Sequence, residues 1–193
     1  MSLQTKDIMG TMYENFVTRD VTYAGAGALM VLSIYHAFFG CVNVLLAEIV
    51  TKPIAFLIFL AVSYFSGLIV KEGIARILGI KYGDWKLKDW SQKLQLYAFI
   101  FEKWGIDGLK RVERIIYFLH VGISFGIGSL ISFASFLFRG IKSSHSDDYA
   151  VCVVLLIVCI FCIIIYRAKF EEHEQIVNYF LVSMQSPADK QAS

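Results

Sequence analysis

Apolar residues in this chain gather into four long blocks, at 22–50, 53–70, 115–138 and 149–166, with polar stretches between them. About 20 mostly apolar residues cross ~30 Å of hydrocarbon as a helix. The pattern therefore predicts an all-α, polytopic membrane protein with four transmembrane helices. The first block is longer than a straight span needs, which predicts tilt or a start among the headgroups. Only Thr51 and Lys52 separate the first two blocks, and Pro53 suits the first turn of a helix. Residues 22–70 should form a tight antiparallel hairpin.

Outside these blocks the periodicity changes. In 71–114, Trp90, Leu94, Tyr97, Phe101 and Trp104 recur every three or four residues, the spacing of an amphipathic helix with an aromatic stripe. Gly83 before it and Gly105 and Gly108 after it are natural breaks. That stripe suits the membrane interface or the ends of the spans. The fourth block continues without Gly or Pro until Pro187, and Phe170, Val177, Phe180 and Met184 form a second stripe there. Residues 167–186 thus predict a helix whose stripe packs on the protein's own loop or docks a soluble partner. The arm 1–21 carries Ile8, Met9, Met12, Phe16 and Val17 at helical spacing, as in an interfacial helix. The end, 187–193, reads as a disordered tail.

Composition sharpens this picture. Of 193 residues, 57% are hydrophobic and 18% charged, against about 45–50% and about 25% in soluble domains. This excludes a disordered chain and disfavours an ordinary soluble enzyme. A net charge of +2 gives no basis for direct nucleic-acid binding. Lys and Arg are distributed unevenly, with only Lys52, Arg139 and Lys142 in the two short connections. The positive-inside rule then puts both termini and the 71–114 loop in the cytoplasm. Residues 1–20 lack the apolar core and cleavage site of a signal peptide.

Polar residues inside the blocks are the candidates for function, because they are costly in lipid. Ser33, His36, Gly40 and Asn43 fall on one face of the first helix. The third carries Gly122 and Gly126 in a GxxxG pattern, with Ser124, Gly128 and Ser132 beside it. Such small residues let helices approach closely. Two readings stand: these faces hold the four-helix unit together, with His36 bonded to a neighbouring hydroxyl, or they line a wet path through an assembly of several copies.

Chemistry-bearing motifs are scarce. Metalloprotease, nucleophile-elbow, phosphate-loop and dinucleotide fingerprints are missing from the sequence. Cys41, Cys152, Cys159 and Cys162 all fall in apolar blocks and read as core cysteines. His145, Asp147 and Asp148, in the short 139–148 loop, read as a solvated turn rather than a metal site. Arg114 and His120 fit the loose spacing of HEPN ribonucleases, but His120 lies in an apolar block and Arg114 serves as a membrane-surface anchor. No catalytic, cofactor or metal residue is assigned.

The arm ending in Val17-Thr-Arg-Asp-Val21, the small-residue run Ala24-Gly-Ala-Gly-Ala28, four spans and an aromatic loop together resemble the membrane subunits of bacterial anti-phage defence systems. The nearest are the KwaA-like subunits of the Kiwa system. The resemblance is in size and topology along the whole chain. It implies a homo-oligomeric inner-membrane sensor that docks a cytosolic, DNA-binding partner, and carries over no site residue. The expected function is a non-enzymatic, homo-oligomeric sensor, scaffold or pore-forming subunit contacting membrane lipid and a cytosolic protein. A small ion channel or transporter is the alternative, and a membrane enzyme the third.

Overall fold

The computed structural model describes residues 3–80, 87, 90–144 and 146–185, with side chains in 3–18 and at Trp90 and Gln185 left aside. Nearly all of these residues are helical, with no strand among them. In chain order they form α1 (Leu3–Phe39), α2 (Val42–Thr51), α3 (Pro53–Leu68), a π-helical segment (Ile69–Ile74), α4 (Ala75–Ile77), α5 (Trp90–Ser143) and α6 (Ser146–Gln185). Four helical runs are long and apolar enough to cross a membrane: Arg19–Phe39, Pro53–Ile77, Ser91–Ser143 and Ser146–Met184.

Local chemistry sets the breaks. Gly40 takes φ +71°, a left-handed conformation that ends α1. The expected 22–50 helix is therefore two: a span closing at Phe39 and the short helix α2. Lys52 is extended (φ −117°, ψ 108°) between α2 and α3, and Pro53 opens α3. A single extended residue thus separates α2 from α3 where the tight hairpin of two spans is expected. The Lys52 ammonium also reaches the Glu48 carboxylate at 2.9 Å. After α4, Gly79 (φ +66°) closes the run, its N–H bonded to the Arg76 carbonyl and that of Ile80 to Ala75. Gly105 (φ 66°, ψ −161°) interrupts α5 in a region open essentially to glycine alone. Between α5 and α6 only Ser144 and His145 remain, so the expected 139–148 loop is largely helical. His145 lies outside the described residues.

The chain divides into two units. One comprises Thr18–Ile80 and His120–Ile164; the other comprises Met1–Val17, Lys81–Leu119 and Ile165–Ser193. In the first, α1 is held against α3 and α5 by small residues. A Cβ on Gly27 would collide with the backbone of Ser63, and one on Gly67 with that of Tyr23. Gly128 lies against Ala26, where a Cβ would come within 3.2 Å of the carbonyl oxygen. The hydroxyls of Ser33 and Ser132 both donate to the Leu29 carbonyl, at 2.7 and 3.3 Å. The other side of α5 takes α6. There the Cys159 thiol donates to the Gly126 carbonyl at 3.5 Å, and Cys162 packs on Gly126.

The second unit has a core of its own. Leu87, Leu96, Ile100, Leu109, Val112, Val177 and Phe180 are buried together. The segment before Gly105, the segment after it and the last turns of α6 all supply side chains to this core.

Candidate functional site

Within the first unit the sequence-predicted polar face resolves into two different environments. Ser33 is buried and bonded to its own helix, and His36 sits in the last turn of α1. Asn43 falls beyond the Gly40 break, on α2, where it is exposed. The expected single face of Ser33, His36, Gly40 and Asn43 is thus not built, because Gly40 turns the chain between its members.

His36 is bonded to a carboxylate whose polar surroundings in the sequence predict a solvated turn. Its Nε2 lies 2.9 Å from Asp148 Oδ1, on the first turn of α6. The Asp148 side chain is nearly buried, and its other oxygen faces Arg139 Nε at 3.8 Å and Ser143 Oγ at 3.5 Å. Phe136 covers the imidazole, with ring centroids 4.8 Å apart. The Arg139 guanidinium fills the space beside Gly40 that any side chain there would occupy. One carboxylate thereby ties the ends of α1, α5 and α6 together next to the break between α1 and α2. The partner of His36 is a carboxylate, not the hydroxyl expected. Asp148 and Arg139 were missed as a pair because a charge beside a polar connection ordinarily faces water.

A second charged group lies against the middle of α1. The Lys71 ammonium, on the π-helical segment, donates to the Tyr23 hydroxyl and pairs with Glu72 at 2.9 Å. Both Lys71 and Tyr23 are buried. Tyr64, at 6.2 Å from Tyr23 by ring centroid, hydrogen-bonds Asp20 at 3.4 Å. Lys71 counts in the sequence only as one of the basic residues of a loop. The π-helical turn brings it back onto α1 instead, as such turns do at functional positions.

On α5, Gly122, Ser124, Gly126, Gly128 and Ser132 are all buried. The Oγ atoms of Ser63, Ser124 and Ser129 have no hydrogen-bond partner among the described residues. Small volume, rather than bonding, is what Ser63, Ser124 and Ser129 supply. The glycine and serine faces meet α1 and α6 of the same chain, which accords with the reading that they hold the four-helix unit together.

In the second unit the residues of the two predicted stripes differ in burial. Val177 (0% exposed) and Phe180 (2%) belong to the unit's own core, so this part of the proposed docking stripe is internal packing. Met184 (48%) is exposed and Phe170 half-buried. On α5 the buried positions are Leu96 and Ile100, while Leu94 and Trp104 are exposed and Tyr97 and Phe101 half-buried. Trp90 is helical, but its side chain lies outside the description. A cleft of about 380 Å³ opens beside Trp104, lined by Asp107, Gly108, Arg111, Glu172 and Ile176 among others. Across it Arg111 donates two hydrogen bonds to Glu172 Oε1, at 3.2 and 2.9 Å, and Lys169 holds the other oxygen at 2.8 Å. These bonds, from Lys169 first and Arg111 next, hold the Glu172 carboxyl below its ordinary pKa.

Among the described residues no cluster of three or more His, Cys, Asp or Glu suits a metal ion. Four apolar spans identify the chain as compatible with a membrane protein. Comparison with known protein families, characterised proteins and solved structures finds no match to this chain.

Proposed function

We propose that this protein is a non-enzymatic, homo-oligomeric scaffold or sensor subunit of the bacterial inner membrane. In this reading both termini and the helical unit face the cytoplasm, and that unit docks a soluble protein. One observation carries it: the unit completes a core of its own and still leaves Trp104, Tyr179 (46%), Val182 (64%) and Met184 exposed. Large apolar groups left over after a core is filled mark an interaction surface. The orientation rests on the concentration of Lys and Arg in the arm, the 71–114 loop and the tail. A part in anti-phage defence rests on the resemblance in size and topology alone.

The scaffold reading is favoured over a pore because the serines and glycines offered for a wet path are consumed by contacts within one chain. The test replaces Val182 and Met184 together with Ser, since both are exposed and outside the core. The variant should stay in the membrane fraction with unchanged helix content, and lose a cross-linked cytosolic partner that the wild type retains. Retention of the partner by the variant would refute the docking surface. Light scattering in mild detergent should give a multiple of the 21.9 kDa chain mass; a monomer would remove the oligomer from the proposal.

A further inference from the structure

Lys103 has an unusual surrounding for an exposed lysine. It makes no ion pair among the described residues, although Glu102 and Asp107 are near it in sequence. Its ammonium instead lies over three aromatic rings, 3.9 Å from the centroid of Tyr179, 5.6 Å from Trp104 and 5.8 Å from Phe99. All three distances are within the ~6 Å over which a ring quadrupole attracts a cation.

The rings are evenly placed. Their centroids are 6.1 Å apart for Phe99 and Trp104, 5.9 Å for Phe99 and Tyr179, and 6.1 Å for Trp104 and Tyr179. Phe99 backs onto the buried ring of Phe180 at 5.5 Å, which fixes one wall to the core. Trp104 and Tyr179 are open to the outside. Asp107, which shares the neighbouring cleft with Trp104, has no ion-pair partner among the described residues and adds negative charge there.

Here the ammonium caps a cluster of three rings, nearest Tyr179, and aromatic faces turned to one cation are how proteins hold alkylated ammonium groups. We propose that Phe99, Trp104 and Tyr179 form a receptor for a trimethylammonium group, and that Lys103 occupies it as a built-in competitor. The lysine is a poor permanent occupant. A primary ammonium is strongly hydrated and brings three N–H donors that the rings satisfy weakly. A trimethylammonium group has no N–H to leave unsatisfied and buries its methyls against the rings. Such a group occurs on a free solute or on a phosphatidylcholine headgroup.

The test uses the full chain in a maltoside detergent, with choline followed by saturation-transfer NMR of its methyl protons. Lys103→Ala should bind choline about tenfold more tightly than the wild type, the scale of one cation–π contact removed from competition. In that background Tyr179→Ala should abolish the signal and Tyr179→Phe should keep it, which separates the ring face from folding. The neutral isostere 3,3-dimethylbutan-1-ol should bind about tenfold more weakly than choline. Nanodiscs distinguish the sources: competition in phosphatidylcholine but not phosphatidylglycerol discs assigns the lipid headgroup, and equal signals in both assign the solute. The proposal is overturned if Lys103→Ala does not tighten binding, if Tyr179→Ala leaves it unchanged, or if the neutral isostere binds as well as choline.

Discussion

A carboxylate as buried as that of Asp148 needs compensation, because an isolated charge in a low-dielectric interior costs several kcal/mol. His36, Arg139 and Ser143 supply it. Removing the carboxylate leaves the half-buried Arg139 guanidinium without a counter-charge. Asp148→Asn should therefore lower stability by about 3 kcal/mol, read as a drop in melting temperature in detergent. Adding Arg139→Leu should recover part of the loss; an unchanged melting temperature in the single variant would show that the cluster holds nothing together. Glu172 makes a smaller, pH-dependent contribution, since its side chain is a quarter exposed. Its folded pKa is lowered, so the stabilisation is fully present above the unfolded value, 4.5, and is lost as pH falls through the folded value. Wild type and Glu172→Gln should differ in melting temperature at neutral pH and converge in acid. A gap that persists at low pH would contradict the assignment.

Glycines decide the elements in ways hydropathy does not register. The four spans were legible because long apolar runs are read directly from composition. The break at Gly40 was not, since Phe39 and Val42 on either side are both apolar and only the backbone angle changes. The α5 segment was legible as a helix, while which of its positions are buried was not. Leu96 and Ile100, one residue before Tyr97 and Phe101, are buried with Phe180 in the core, and Tyr97 and Phe101 pack partly buried against it. Gly27 and Gly67 test the crossing of α1 and α3. An added methyl meets backbone at both, which cannot swing aside, so Gly27→Ala or Gly67→Ala should cost at least about 1–3 kcal/mol. Gly73 on the π-helical segment is the matched control, because a Cβ there meets only Ile69 at 3.9 Å. Gly73→Ala should stay within about 0.5 kcal/mol of wild type. Equal melting temperatures for all three variants would rule out the close crossing.

For the whole molecule the proposed orientation makes a direct labelling prediction. In a background with the four native cysteines replaced, a cysteine at Ser144 should react in intact cells with a membrane-impermeant thiol reagent. One at Ser91 should react only after the cells are opened. Labelling of position 91 in intact cells would invert the topology. The sequence made this side assignment possible because charge asymmetry is a property of connections, which are read residue by residue. It left the Asp148 cluster and the Lys71–Tyr23 pair unread, because each joins residues far apart in the chain.

The second unit is assembled from three separated stretches, Met1–Val17, Lys81–Leu119 and Ile165–Ser193. Its core therefore cannot close during synthesis until Val177 and Phe180 have left the ribosome, after the last span is made. Until then the nascent chain displays Leu96, Ile100, Leu109 and Val112 uncovered, a state prone to aggregation. A chain stopped before residue 165 would keep all but the end of the last apolar run and lack the residues that complete the core. Such a product exposes Leu96, Ile100, Leu109 and Val112 without the residues that cover them.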